Sequence, residues 1–337
     1  MLIKNISNCI EKEIFKEISN YCDNNELESY VIGGYVRDHL IGKTGSKDID
    51  ILIVGNGIKA AKSIAKKLKI KKVIVYKNFG TAMFKFKNFE IEFVGTRKES
   101  YDKNSRNPDV KPGTLLDDLN RRDFTINTIG LSLNKNSWGL VLDKFNGIQD
   151  LENGIIKTPL QAAKTFSDDP LRMLRAARFA SQLNFKIEKK SFEGLCVEKN
   201  RIKIVSSERI SEELNKIILS KKPSVGFKIL ESTGILELIL PELTNLKGIE
   251  EIEGQKHKDN FYHTLEVLDN ISENTENLWL RWAALLHDIG KAPTKKFIKK
   301  IGWTFHGHEL KGSKTVSYTH LRAHETPEHR VCRLLRG

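Results

Sequence analysis

The chain is short of acidic residues, of cysteine and of long apolar runs. Its 337 residues carry 43 acidic against 56 basic side chains, a formal net charge of +13. The acid deficit suits a polyanionic partner such as nucleic acid. Four cysteines occur, Cys9, Cys22, Cys196 and Cys332, without the paired spacing of a zinc site or a disulfide framework. They read as reduced thiols in a cytoplasmic protein. No apolar run approaches the ~20 residues of a membrane span, which excludes a helical membrane protein. Met1 to Asn20 mixes charges on an amphipathic helical pattern, unlike the apolar block of a signal peptide. At this length two or three domains, each with its own core, are expected.

The most informative stretch runs from Tyr30 to Val54. Tyr30-Val31-Ile32 reads as a strand that breaks at Gly33-Gly34 and continues as a short helix through Arg37 and Asp38. A glycine turn feeding a helix N-terminus lets backbone N–H groups approach an anion. Lys47 to Val54 then reads as a strand whose alternation puts Asp48 and Asp50 on one face and Ile49, Ile51 and Ile53 on the other. Two neighbouring carboxylates repel each other unless a divalent cation neutralises them. Hard oxygen ligands suit Mg²⁺, which commonly works with substrate phosphates.

Around this stretch, residues 1–28 predict a leading helix with Ile10, Ile14, Phe15 and Ile18 on one face. Ile58 to Leu68 predicts another helix, and Lys71 to Tyr76 a strand. Thr81 to Phe86 and Phe89 to Val94 predict a hairpin closed at Lys87-Asn88, with Glu92 as a third carboxylate beside Asp48 and Asp50. Thr96 to Gly113 is a polar loop too long to be a plain connector. In Asp117-Asp118-Leu119-Asn120-Arg121-Arg122-Asp123-Phe124-Thr125-Ile126-Asn127, two arginines offer forked donors for phosphate oxygens beside an acceptor for a ribose hydroxyl. After Gly147 helical periodicity takes over. Asp168-Asp169-Pro170-Leu171-Arg172 reads as a capped helix start that runs through Arg175 and Arg178, and Ser206 to Leu214 as a second. His263, then His287-Asp288-Ile289-Gly290-Lys291 with His306 and His308 beyond, supply imidazole and carboxylate groups suited to a divalent metal.

The glycine turn, the paired aspartates and the Arg-Arg-Asp-x-x-x-Asn run resemble the class II CCA-adding tRNA nucleotidyltransferase and bacterial poly(A) polymerase family. Glu208-Arg209 through Glu213 resembles the family's neck signature, and the His287-Asp288 segment resembles the HD phosphohydrolase superfamily found appended to some members. The resemblance covers residues 28–312. It implies an α+β fold: a polymerase-β-type nucleotidyltransferase head with a mixed sheet at 1–146, a helical neck at 147–222, and a helical body with a partial HD domain at 223–312. It further implies two Mg²⁺ ions on Asp48 and Asp50 with Glu92 assisting, and phosphate positioning by Gly33, Gly34 and Arg37. Asp123 would select ribose, with Arg122 and Asn127 against the sugar and triphosphate. Asp169 and Arg172 would read the base, with Arg175 and Arg178 as further nucleotide contacts. Asp168 stands where many members have Glu.

The implied partners are the tRNA acceptor end, CTP and ATP. A poly(A) polymerase and an A-only or CC-only adding enzyme share these features. An HD phosphohydrolase with a decayed head, or a non-catalytic RNA-binding protein, fits them less well. No aspartate follows Asp288 to complete an HD ligand set of His263, His287 and Asp288. The lysine- and isoleucine-rich composition stops near Thr315, so 313–337 is expected to be an anomalous, non-native tail that cuts the HD domain short. The sequence sets no oligomeric state.

Overall fold

The structure, a computed structural model, describes residues 7–43, 45–102 and 108–318. The tail beyond Tyr318 and the middle of the polar loop lie outside the described residues. So do the first six residues of the expected leading helix, which within the described part is a 3₁₀ turn and then α1 (Glu13–Asn24). By internal contacts the chain forms two compact units, 1–168 and 169–337.

The first unit is built on one seven-stranded sheet. In chain order α1 leads to β1 (Ser29–Ile32), α2 (Gly34–Leu40), β2 (Asp48–Ile53) and α3 (Gly57–Lys67). There follow β3 (Ile74–Tyr76), β4 (Thr81–Phe86), β5 (Phe89–Gly95), the hairpin β6 (Arg97–Ser100) and β7 (Asp109–Pro112), and α4 (Leu115–Asn120). Then come β8 (Gly130–Ser132), β9 (Val141–Leu142), α5 (Gly147–Glu152) and α6 (Ala162–Asp168). The strand order is β3-β4-β5-β2-β1-β8-β9. The β2–β5 pair is parallel and the other pairs are antiparallel, so the sheet is mixed.

The alternation read from β2 holds. Ile49, Ile51 and Ile53 are buried, while Asp48 is exposed and Asp50 half-buried on the other face. Leu52 shares the aspartate face and is nevertheless buried. It forms a cluster with Ile32, Leu119 and Leu142, which roofs that end of the face with α4. The back of the sheet is closed by α3, whose Ala60, Ala61, Ile64 and Ala65 are buried. Its start sits directly on β5: a Cβ on Gly57 would lie 2.6 Å from the Gly95 amide nitrogen, so only glycine admits this approach. The β4–β5 hairpin turns at Lys87-Asn88 as expected, with Lys87 in the left-handed region.

Residues 147–168 group with the sheet, although helical periodicity begins at Gly147. Asp143 accepts from the amides of Gly147 and Ile148, and buried Asp150 accepts from Thr125 Oγ1 (2.7 Å). These polar links hold α5 to the head, and hydrophobic periodicity does not report them.

The second unit is helical: α7 (Leu171–Leu183), α8 (Lys189–Glu198), α9 (Ser207–Ile218), α10 (Pro223–Ser232), α11 (Ile235–Ile239), α12 (Pro241–Thr244), α13 (Asn260–Asn274), α14 (Leu278–Leu286), α15 (Lys291–Thr294) and α16 (His308–Tyr318). A short hairpin at Lys296–Ile298 and Gly302–Thr304 interrupts the series. Among the described residues no helix is long and apolar enough to cross a membrane.

Arg281 on α14 pins three elements of this unit. Its guanidinium, 4% exposed, donates to the carbonyls of Ile218, Ser220, Ser272 and Thr275 at 2.7–2.9 Å. These are the C-terminal ends of α9 and α13, where helices leave carbonyls without partners. Replacing Arg281 by Met orphans those acceptors and is expected to cost about 3 kcal/mol of stability, read as a lower urea midpoint at unchanged slope.

Candidate active site

The carboxylate face of β2 continues onto β5. In the parallel register Asp48 lies opposite Glu90 and Asp50 opposite Glu92, so four acids share one face. Lys85 on β4 takes Glu90 into an ion pair at 2.7 Å. Asp50 is also the register partner of Ile32, the last residue before the glycine turn. Gly33 (φ +84) therefore comes down on the acid: a Cβ there would sit 3.1 Å from Asp50 Oδ2 and 3.5 Å from Arg122 Nη1. Any side chain at this position would be strained in backbone and crowded by both groups. The Gly33 amide donates to Ile129 O (3.2 Å) and the Arg37 amide to Gly33 O (3.0 Å), so the amides α2 can offer an anion are those of Gly34 to Val36.

The arginine motif locks onto this turn. Arg37, 8% exposed, donates through Nη1 to Asn127 Oδ1 (2.6 Å) and through Nε and Nη2 to Asp38 Oδ1 (2.9 and 2.8 Å). Asn127 Nδ2 in turn donates to Asp123 Oδ1 (2.9 Å), which also accepts from the Phe124 amide (2.8 Å). Arg37, expected to position phosphates, is thus a clamp between the glycine helix and the Arg-Arg-Asp segment. Arg122 donates to Asn127 O (3.4 Å) and to Asp118 Oδ2.

Asp118 lies at the head of the arginine motif, four residues before Arg122. It is fully buried and holds both arginines, Arg121 through Oδ1 and Arg122 through Oδ2. Its position three and four residues ahead of two arginines on a helix was the available signal.

At the start of the helical unit, Asp169 Oδ1 accepts from the Leu171 amide (3.2 Å) and its carbonyl from the Arg172 amide (3.0 Å). The helix begins at Leu171, one residue later than an Asp169 cap would place it. Arg172 Nε lies 4.0 Å from Asp169 Oδ2, so the two side chains form a loose pair. Arg175 lies over the Phe179 ring at 5.3 Å. Arg178 is buried, 4.5 Å from the same ring centroid, and pairs with Glu213 Oε2 at 3.1 Å. Glu213, the closing residue of the neck signature, is itself buried. Arg209 sits on the surface with Glu212.

The second constellation is assembled. Ligand atoms of His263, His287 and Asp288 all lie within 4.8 Å of one another, a grouping that Asp48, Asp50 and Glu92 do not reach in this structure. His287 Nδ1 faces Ala284 O (2.8 Å), while its Nε2 lies 3.2 Å from Asp288 Oδ2. Lys291 Nζ donates to the same oxygen (2.7 Å), and His308 Nε2 stands 3.8 Å from Oδ1. Burial pushes the Asp288 carboxyl up, but donation from His287 and Lys291 outweighs it and holds the group at about 2. The hydrogen bond to Asp288 raises the His287 imidazole above its ordinary value, against an opposing effect of burial. His308, grouped with these residues in the sequence, stands beside the cluster from the start of α16.

Three families match consecutive parts of the chain: the poly A polymerase head domain at 29–157, the probable RNA and SrmB-binding site of polymerase A at 184–247, and the HD domain at 260–337. The multifunctional CCA protein of Neisseria meningitidis serogroup C is 32% identical over 309 residues, spanning 90% of this chain and 70% of that protein. The A-adding tRNA nucleotidyltransferase of Aquifex aeolicus is 30% identical over 287 residues, 82% of this chain but only 33% of the relative. A tRNA nucleotidyltransferase solved with a primer tRNA and an incoming ATP analogue superposes with a TM-score of 0.60 at 27% identity, over 80% of this chain and 75% of that one. The Thermotoga maritima CCA-adding enzyme shares the fold, with a TM-score of 0.67 at 22% identity over 98% of this chain and 80% of that one. With its mixed-sheet head, its helical second unit and its HD segment, the chain belongs to the family of class II CCA-adding tRNA nucleotidyltransferases and bacterial poly(A) polymerases.

Proposed function

We propose that this chain adds CCA to the 3′ end of tRNA from CTP and ATP without a nucleic-acid template, releasing pyrophosphate. The observation that carries the reading is the approach of Gly33 to both Asp50 and Arg122, which brings acid, glycine turn and arginine motif to one point. The donor set on β2 and β5 is all oxygen and acidic, as Mg²⁺ prefers. Two Mg²⁺ ions held by Asp48 and Asp50, with Glu92 beside them, would supply Lewis acidity at the RNA 3′-hydroxyl and at the triphosphate.

The protein's own part is placement. The amides of Gly34 to Val36 and the Arg122 guanidinium bind phosphate oxygens, and Asp123 accepts from a ribose hydroxyl. Arg37 and Asn127 keep these groups in register. Asp169 and Arg172 present a carboxylate and a guanidinium to the Watson–Crick edge of the base, which lets protein stand in for a template. The basic surface tracks the acceptor stem through its phosphates, a contact that weakens with salt. The division read from the sequence, 1–146 head, 147–222 neck and 223–312 body, is part of the proposal, although residues 147–168 group with the head.

A second reading, addition of A alone, is favoured by the likeness to the A-adding relative. One assay separates the two, using a tRNA transcript lacking its 3′ end with Mg²⁺ and CTP, ATP or both. Two C then one A are expected. Addition of a single A only to a transcript already ending in CC indicates the A-adding reading, and long A tails a poly(A) polymerase. The Asp48→Ala, Asp50→Ala double variant is expected to lose activity at least ~1000-fold, about 4 kcal/mol in the barrier. A folded protein that incorporates nothing sinks the transferase reading.

The His263, His287 and Asp288 group offers two imidazoles and one carboxylate, a set that fits Mn²⁺ or another divalent ion of that class. In the Asp48→Ala, Asp50→Ala background, titration calorimetry with Mn²⁺ is expected to show one site per chain that Asp288→Ala removes. Heat unchanged in that variant would mean the metal binds elsewhere.

A further inference from the structure

We propose that Asp118 is the positioning residue of the nucleotide site: its buried carboxylate aims Arg122 at the Gly33–Asp50 corner and, through Arg121 and Glu99, ties that aim to the β6–β7 hairpin. The inference rests on the nucleotidyltransferase reading. Both oxygens of Asp118 are in use. Oδ1 accepts from Arg121 Nε and Nη2 (2.8 and 2.5 Å), and Oδ2 from Arg122 Nε and Nη2 (3.3 and 3.2 Å). That fork leaves Nη1 outside it, the nitrogen that reaches Asn127 O and stands against Gly33. A guanidinium held on one edge by a carboxylate has a fixed plane, so its remaining donor has a fixed direction.

The second wing runs the other way. Arg121 Nη1 reaches Glu99 Oε1 (3.3 Å), which also accepts from Arg97 Nε (2.8 Å), while Tyr101 donates to Glu99 Oε2 (2.5 Å). Arg97 and Arg121 meet on Glu99, and Arg121 and Arg122 on Asp118, so the three guanidiniums are chained through two carboxylates. Burial and the neighbouring Arg121 charge push Arg97 down. For Arg121 the attraction of Asp118 and Glu99 outweighs the opposing effect of burial. A guanidinium that meets a polyanion binds it better when its plane is held still. Asp118 is not required to form its helix. Thr114 and Asp117 close a capping box there, and Leu119 is buried in the sheet cluster.

The test is a double-mutant cycle read separately for each substrate. Asp118→Asn keeps the volume and loses the charge. It is expected to raise KM for the nucleoside triphosphate about tenfold and leave KM for the RNA 3′ end within about twofold. If Asp118 acts through Arg122, the D118N, R122A double variant is no worse than R122A alone, within about twofold. Losses that add, or an unchanged triphosphate KM in D118N, overturn the proposal. Should D118N fail to fold, D118E serves instead. The D118E variant keeps the charge but moves the carboxylate by one methylene and so misaims Arg122; the same triphosphate effect is expected, and wild-type behaviour overturns the proposal. If the wild-type chain adds no nucleotide, the function reading fails by itself. The same cycle is then read as the Kd of a non-hydrolysable triphosphate analogue, with the same outcomes deciding it.

Discussion

Everything in the head follows from holding like charges side by side. The parallel register of β2 and β5 sets Asp48 against Glu90 and Asp50 against Glu92, an arrangement that costs stability in an ordinary sheet. The strands accept it because their other face is apolar and closed by α3, so the register cannot slip without moving that apolar row into water. The hydrophobic side of β2 thus enforces the electrostatic strain of its polar side, and a strain of that kind is relieved by cations.

Around this row the fold spends its arginines in two different ways. Arg37, Arg178 and Arg281 are buried and tied to protein partners: Asp38 and Asn127, Glu213, and four backbone carbonyls respectively. Their guanidiniums tie neighbouring elements together through polar groups as well as through packing. Arg122 is also held, but with one nitrogen facing the carboxylate corner. A guanidinium aimed by one buried carboxylate is how a rigid scaffold points a charge at a substrate.

The helical unit repeats the theme at a different site. His287 bridges Ala284 O and Asp288, and Lys291 shares the same carboxylate oxygen. This is a compact acid–base cluster in which protons and a metal would compete for the same atoms. His308 from α16 extends it, so the last described helix takes part in the cluster rather than standing outside it.

The sequence alone determined the local grammar. The alternation of Asp48-Ile49-Asp50-Ile51, the break at Gly33-Gly34, the Lys87-Asn88 turn and the Arg-Arg-Asp-x-x-x-Asn run carried the fold class and most of the candidate site, because each signal lies within a few residues of chain. Only the tertiary structure decided which charges meet. That Gly33 rests on Asp50, that Arg37 clamps Asn127 ninety positions away, that Asp118 holds two arginines and that Glu213 receives Arg178 depend on strand register and helix packing. Hydrophobic periodicity places elements, but it carries no information about which polar groups will share a buried neighbour. The partners of buried charges are set by three-dimensional closure.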